Sequence, residues 1–208
     1  MPPFDGLRAV SEVERWVFLG TNPERALGMK DMPWLHRKTE MEQIIQGRVF
    51  KFGDNVNSDV IIPGRWLIYI DAERLSQHAF EVLGEGFPDK LRGFDILVAG
   101  RNFGCGSARE QAVTAIAGLG IKAVVACSFA RTFYRNAINE GMPIVECPEL
   151  YTAIAEGDTI QIDVAAGRIR HNDKEYRFPQ MPESIRELLQ QGGLAAYLKA
   201  QIEKQASQ

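Results

Sequence analysis

Short apolar runs alternate with stretches of helical period from Met41 onward. IIQGRVFKF (44–52) is β-branched and aromatic, and GDNVNSD closes it in turn-forming residues, which predicts a strand and its exit. FDILVAG (94–100), IKAVVAC (121–127) and MPIVEC (142–147) are brief apolar runs of the kind that buried strands show. Between them, Ala112, Ala115, Ile116 and Leu119 share one face of a helix that Gly118 and Gly120 close. FARTFYRNAINE reads as a second helix, capped by Ser128 and stopped at Gly141. Strand, helix, strand, helix, strand in this order predicts a parallel sheet with right-handed crossovers.

The segments flanking this unit have other periods. IIPGRWLIY (61–69) is expected to start extended, because Pro63 disfavours helix for the residue before it. DAERLSQHAFEVL predicts one amphipathic helix with Leu75, Ala79, Val82 and Leu83 on its buried side, and GFPDKLRG a loop. Beyond Asp158 the pattern becomes alternation, in TIQIDV, GRIRHN and KEYRF, which predicts small antiparallel strands. ESIRELLQQ reads as a helix ended by Gly192–Gly193, and LAAYLKAQIEK as a terminal helix. The expected class is α/β: a parallel-sheet core with helices and a small antiparallel β flank.

Residues 1–40 follow no sustained period. They hold four of the ten prolines, Trp16 and Trp34, and six acidic against six basic side chains. Two readings stand: a docking segment whose aromatics pack on a partner, or a start placed too early, with Met41 the true beginning. The domain proper is then 41–208.

Composition narrows the function. At 208 residues the chain can bury a real core, and its 45% hydrophobic and 25% charged residues are ordinary for a soluble protein. A net charge of −3 gives no basic face for nucleic acid. No apolar run reaches the ~20 residues that span a bilayer, and the N terminus lacks a signal peptide's basic start and apolar run, so a cytoplasmic protein is expected. Cys105, Cys127 and Cys147 are odd in number and lie 22 and 20 residues apart, far from the close pairs that hold iron–sulfur clusters. Cys127 and Cys147 also end apolar runs, as small buried hydrophobes do. No metal is expected in this chain.

The candidate chemistry sits in NFGCGSAREQA (102–112), between a strand and a helix start. It lacks the spacing and lysine of a Walker loop, and Arg109 stands where a dinucleotide fingerprint needs glycine. Ser107 and Glu110 match the capping box S-x-x-E, which by itself explains the serine. Arg109 favours a second reading. A cation in a helix's first turn opposes the dipole, unless an anion arrives at the glycine turn to pair with it. Ser107 would then have donors and positive charge to stabilise its alkoxide.

Four segments in order, GRVFKFGDNVNSDVIIPGRWL (47–67), ILVAGRNFGCGSAREQA (96–112), SFARTFYRNAINEG (128–141) and GGLAAYLK (192–199), resemble the small subunits of 3-isopropylmalate dehydratase. These are separate-chain versions of the swivelling domain of aconitase-type hydro-lyases. The resemblance covers the chain from Met41 nearly to its end. It implies a swivelling β/β/α domain, a large subunit that carries a [4Fe–4S] cluster, and a small dicarboxylate substrate in leucine biosynthesis. It also implies Ser107 as the base that removes a proton α to a carboxylate, and Arg109 with Gly106 as substrate-binding groups. Asp59 matches an acidic position near the family's active site, where it would orient its neighbours; a turn aspartate is the plainer alternative. Glu110 is expected to support Ser107.

The segment after Pro63 corresponds to the family's substrate-selecting loop, which makes Leu67, Ile68 and Tyr69 specificity candidates. Homoaconitase-type relatives carry arginine where Ile68 stands, and a buried Ile68 would suit a branched alkyl group and penalise an unpaired carboxylate. Arg65 could swing inward and relax that preference. Asn57 stands where relatives often have aspartate, Ala108 where a second serine is common, and Gln111 where histidine is common. Arg131, Arg135 and Asn139 read as a solvated helix face, and His36, His78 and His171 as surface residues. The rivals are the same machinery on dimethylmalate, citramalate or homoaconitate, and a non-catalytic domain that binds anions or a partner.

Overall fold

A computed structural model describes residues 44–107 and 109–206. The N-terminal segment with its two readings, His36, Met41 and Ala108 lie outside them. Strand β1 (Ile44–Lys51) is followed by a four-residue helix α1 (Ser58–Ile61), a 3-10 turn (Gly64–Trp66), helix α2 (Ala72–Gln77), a second 3-10 turn (Glu81–Leu83) and helix α3 (Phe87–Leu91). The alternating unit comes next: β2 (Ile96–Ala99), α4 (Glu110–Gly118), β3 (Ala123–Ala126), α5 (Arg131–Asn139) and β4 (Ile144–Glu146). A short helix α6 (Pro148–Ala153) leads to β5 (Thr159–Asp163), β6 (Arg168–His171) and β7 (Lys174–Arg177), and the chain closes with α7 (Glu183–Gln190) and α8 (Leu194–Ala206).

One seven-stranded sheet of order β4-β3-β2-β1-β5-β6-β7 carries both styles that the pattern predicts. On one side of β1 the strands are parallel, with Val49 opposite Ile96, Val98 opposite Val125 and Val125 opposite Val145. On the other side they are antiparallel, Ile45 facing Ile162 and Ile162 facing Ile169. Every residue of β2 and β3 is buried, which is why those runs are continuously apolar, whereas β7 is a largely exposed edge of KEYR. Helix α4 is buried from Ala112 to Ala117 because α2 packs on it on one side and α5 on the other. Its alanines let those helices approach closely.

Four expectations about local structure are corrected. Residues 72–83 do not form one helix: α2 stops at Gln77, and Phe80 adopts a left-handed backbone at φ 58°. That break exposes Val82 and Leu83 and buries Phe80 completely, stacked on Phe52 with ring centroids 4.8 Å apart. GFPDKLRG contains helix α3, with Pro88 in its first turn where a missing N–H costs nothing. Ile61 ends helix α1 rather than starting an extended run, although Ile62 and Pro63 are extended as the proline demands. Ser128 does not cap α5, whose N-cap is Ala130; its hydroxyl accepts from the Asn102 N–H at 2.9 Å.

Candidate active site

The carboxyl ends of β1 and β2 feed the two loops that make the site, the position where open α/β sheets bind ligands. The loop after β2 is built by close backbone approach. Gly104 has φ 75°, donates its N–H to the Val56 carbonyl at 2.8 Å and lies flush on the Phe133 ring, where a Cβ would overlap. Gly106 has φ 96°, and a Cβ there would come within 2.5 Å of the Asn57 side chain. The two loops are knitted directly, Ser58 N–H donating to the Cys105 carbonyl at 2.7 Å, and Phe103 N–H ties the second loop to the one after β3 through the Ser128 carbonyl at 3.0 Å. Phe103 sits beneath this turn, fully buried and edge-on to Phe133 at 5.2 Å.

Ser107 emerges from the turn exposed to solvent. The capping-box expectation fails. Helix α4 starts at Glu110 with Arg109 as its N-cap, and no side chain caps it. The Ser107 hydroxyl instead accepts from Arg109 Nη2 at 3.4 Å. Glu110 turns away from the serine: its side chain hydrogen-bonds that of Glu140 after α5. Burial, the Glu110 hydrogen bond and the Glu110 charge push the Glu140 carboxyl up to about 8. Any support Glu110 gives Ser107 therefore runs through the start of α4.

Helix α1 supplies the opposite wall. Asn57 is its N-cap and accepts from the Asp59 N–H at 2.8 Å, which aims Asp59 at the arginine. Arg109 Nη1 meets Asp59 Oδ1 at 2.5 Å and lies 3.5 Å from the Ile62 carbonyl. The Asp59 carboxylate is thus spent on Arg109. It also answers the charge argument made from sequence: the cation at the helix start already has a counter-charge, so an arriving anion is not needed to explain it. What the geometry adds is direction. One edge of the guanidinium is taken by Asp59, and the other faces Ser107.

The segment from Pro63 to Ile70 begins beside this pair, with Gly64 against the Arg109 guanidinium. Leu67 and Tyr69 are half-buried on the core, while Ile68 is 77% exposed. The expectation of a buried Ile68 is overturned, because the 3-10 turn and the bonds that follow it point the side chain outward from this chain. Arg65 does not swing inward; it forms an ion pair with Glu81. His78 and His171 are not surface residues. His78 stacks on Trp66 with centroids 3.4 Å apart, and His171 is buried with Nε2 3.0 Å from Asp158. Arg131, Arg135 and Asn139 do lie on an exposed helix face.

No three His, Cys, Asp or Glu side chains among the described residues could share a metal ion. Cys147 is buried and Cys127 half-buried, and burial pushes both thiols up, away from the thiolate form that metals need. The cysteines of this chain do not fit a cluster. Sequence reasoning missed Glu81 and Glu140, each of which acts through residues distant along the chain and carries no local motif.

The sequence matches the Aconitase C-terminal domain over residues 38–149, more than half of its length. The chain belongs to that family. Its relatives include the 3-isopropylmalate dehydratase small subunit of Caldicellulosiruptor saccharolyticus, 45% identical over 165 residues that cover 78% of this chain and 95% of the relative. The isopropylmalate/citramalate isomerase small subunit of Methanocaldococcus jannaschii is 43% identical, covering 78% of this chain and 98% of the relative. The crystal structure of 3-isopropylmalate dehydratase from the same organism superposes with a TM-score of 0.72 at 45% identity, over 79% of this chain and 98% of that one. The α/β swivelling-domain class expected from sequence is borne out by that likeness.

Proposed function

We propose that this chain is the small subunit of a 3-isopropylmalate dehydratase, a hydro-lyase active only with its large subunit. Together they would interconvert 2-isopropylmalate and 3-isopropylmalate by dehydration and rehydration through 2-isopropylmaleate. One observation carries the assignment beyond family membership: an exposed serine hydroxyl 3.4 Å from an arginine that a carboxylate holds in place, at the carboxyl ends of the parallel strands. A [4Fe–4S] cluster would belong to the large subunit, since the cysteines described here do not fit one.

The work of this chain is positioning and proton transfer. Arg109 offers a substrate carboxylate the guanidinium edge that Asp59 leaves open, a charge-assisted contact whose planar geometry fixes the acid's orientation. The substrate Cα–H then lies beside Ser107. The hydroxyl has an ordinary acidity far above neutral, and the guanidinium, the glycine-turn amides and the positive end of α4 favour its alkoxide form. The alkoxide takes the proton α to the carboxylate and returns it on rehydration. Arg65 is the single cation of segment 63–70, and its pairing with Glu81 leaves no free cation there to meet a third carboxylate. That supports an alkyl malate over homoaconitate. A citramalate substrate is the second reading, because a methyl in place of an isopropyl group changes only apolar contact and one relative's name includes both. A cytoplasmic two-subunit enzyme is part of this proposal.

Ser107→Ala in the anaerobically purified two-subunit enzyme tests the assignment. Loss of a positioned base predicts a fall in kcat of about 10²–10⁴ with KM changed little. Turnover within a few-fold of wild type would refute Ser107 as the base.

A further inference from the structure

We propose that Glu81 is the positioning residue that sets substrate choice: it fixes segment 63–70 through Arg65, Trp66 and His78 without itself meeting substrate. This rests on the reading of that segment as substrate-selecting.

Main-chain bonding does little to tie the segment to the rest of the fold. Its backbone–backbone hydrogen bonds among the described residues are all internal turns: Trp66 N–H to Pro63, Leu67 N–H to Gly64 and Tyr69 N–H to Trp66. Its root is fixed where the Ile62 carbonyl lies on Arg109. Its far part packs Leu67 and Tyr69 on the core, with Arg74 over the Tyr69 ring, and one carboxylate makes its side-chain polar ties. Glu81 Oε1 accepts from the Trp66 indole Nε1–H at 2.6 Å and pairs with Arg65, while Oε2 lies 2.9 Å from His78 Nδ1. The indole is sandwiched as well as bonded: His78 is parallel to it within 7° on one ring contact, and Tyr69 stacks on it at 6.1 Å and 15°. The carboxylate therefore locks a Trp66–Tyr69 pair that brackets Leu67 and Ile68.

Glu81 itself cannot drift. It follows Phe80, whose left-handed backbone is costly for a residue with a Cβ and is held by complete burial and an N–H bond to the Ile61 carbonyl at 2.8 Å. Partial burial pushes the Glu81 carboxyl up, but the bonds from Trp66, His78 and Arg65 outweigh it and leave it below the usual carboxylate range. The ionised form is the one that ties the loop. Phe80 is thus a backbone anchor for Glu81, and Glu81 a side-chain anchor for the loop.

Two readouts on the full chain decide the matter. Trp66 becomes the only tryptophan when Trp16 and Trp34 are replaced by phenylalanine. In that background Glu81→Ala should red-shift the emission and raise acrylamide quenching, while Glu81→Gln, which keeps an acceptor for the indole, should shift it less. In the enzyme reconstituted with its large subunit, Glu81→Ala should lower the kcat/KM ratio of 2-isopropylmalate over citramalate by about ten-fold, mostly through the KM for isopropylmalate, with Glu81→Gln recovering most of it. An unchanged Trp66 environment would overturn the tether, and a freed Trp66 with a wild-type substrate ratio would overturn its role in selection. A wild-type enzyme inert on both substrates would instead overturn the functional reading, before any Glu81 variant is assayed, and the Trp66 emission would still decide the tether.

Discussion

Two stretches face the same site and are held in opposite ways. The turn from Asn102 to Ser107 is fixed by backbone: positive φ at Gly104 and Gly106, main-chain bonds to Val56 and Ser128, and aromatic rings packed against it. The segment from Pro63 to Ile70 bonds its own backbone only to itself and is tethered by side chains to Glu81. The first arrangement fixes the backbone that carries Ser107 and tolerates almost no substitution. The second can be retuned by changing one side chain without disturbing the sheet. On the proposed reading, chemistry sits on the rigid turn and selection on the tethered loop, a division by which one scaffold could serve several alkyl malates.

The largest effect expected from breaking this contrast falls on the backbone side. Gly104→Ala would force an L residue into a left-handed backbone and drive its methyl into Phe133, a combined cost of about 3 kcal/mol or more. Thermal denaturation of the variant should show the loss, and a melting point within a degree of wild type would mean the turn is not backbone-locked. The loop side should behave in the reverse manner. Ile68 is exposed, so Ile68→Arg should leave the melting point unchanged. In the two-subunit enzyme it should cut kcat/KM for isopropylmalate by about ten-fold and admit a substrate with an extra carboxylate. An unchanged substrate ranking would remove Ile68 from the selecting surface.

The contrast also separates what the chain shows to a reader from what it hides. β2 and β3 are legible because full burial makes them continuous apolar runs, β4 because Ile144 and Val145 are buried, and β5 and β6 because one more exposed face makes them alternate. Helices α4, α5 and α7 are legible from period and closing glycines. The break at Phe80 is not, since a buried phenylalanine in a left-handed backbone follows from its packing on Phe52 and contradicts local propensity. Ser107 and Arg109 stood out by motif, and the structure brings them together. The motif misled about Glu110: S-x-x-E reads as a cap, yet Glu110 finds Glu140, thirty positions on, and the helix starts uncapped. Side-chain ties across long sequence separations, such as Asp59 to Arg109 and Glu81 to Trp66, leave no periodicity to read.

The smallest predicted effect distinguishes the two anchors by pH. Glu81, held below the usual range, gives stability that is fully present above the unfolded pKa of 4.5 and is lost as pH falls through its folded value. Glu140 has the opposite sign. Its folded pKa of about 8 lies above the unfolded 4.5, so between these values the folded state binds more protons than the unfolded chain. Stability from this group is then fully present below pH 4.5 and drains away as pH rises toward 8. Glu140→Gln keeps a neutral, hydrogen-bonding side chain beside Glu110 and removes the titration. Its advantage over wild type should grow from pH 6 to pH 8.5 by on the order of 1 kcal/mol in urea denaturation, a discounted figure because the group is partly exposed. Because Glu110 begins the helix that carries Arg109, wild type should also lose affinity for substrate over that range more steeply than the variant. Parallel pH profiles for the two proteins would show that the Glu110–Glu140 contact does not load the rigid side of the site, and the contrast between its anchors would rest on backbone alone.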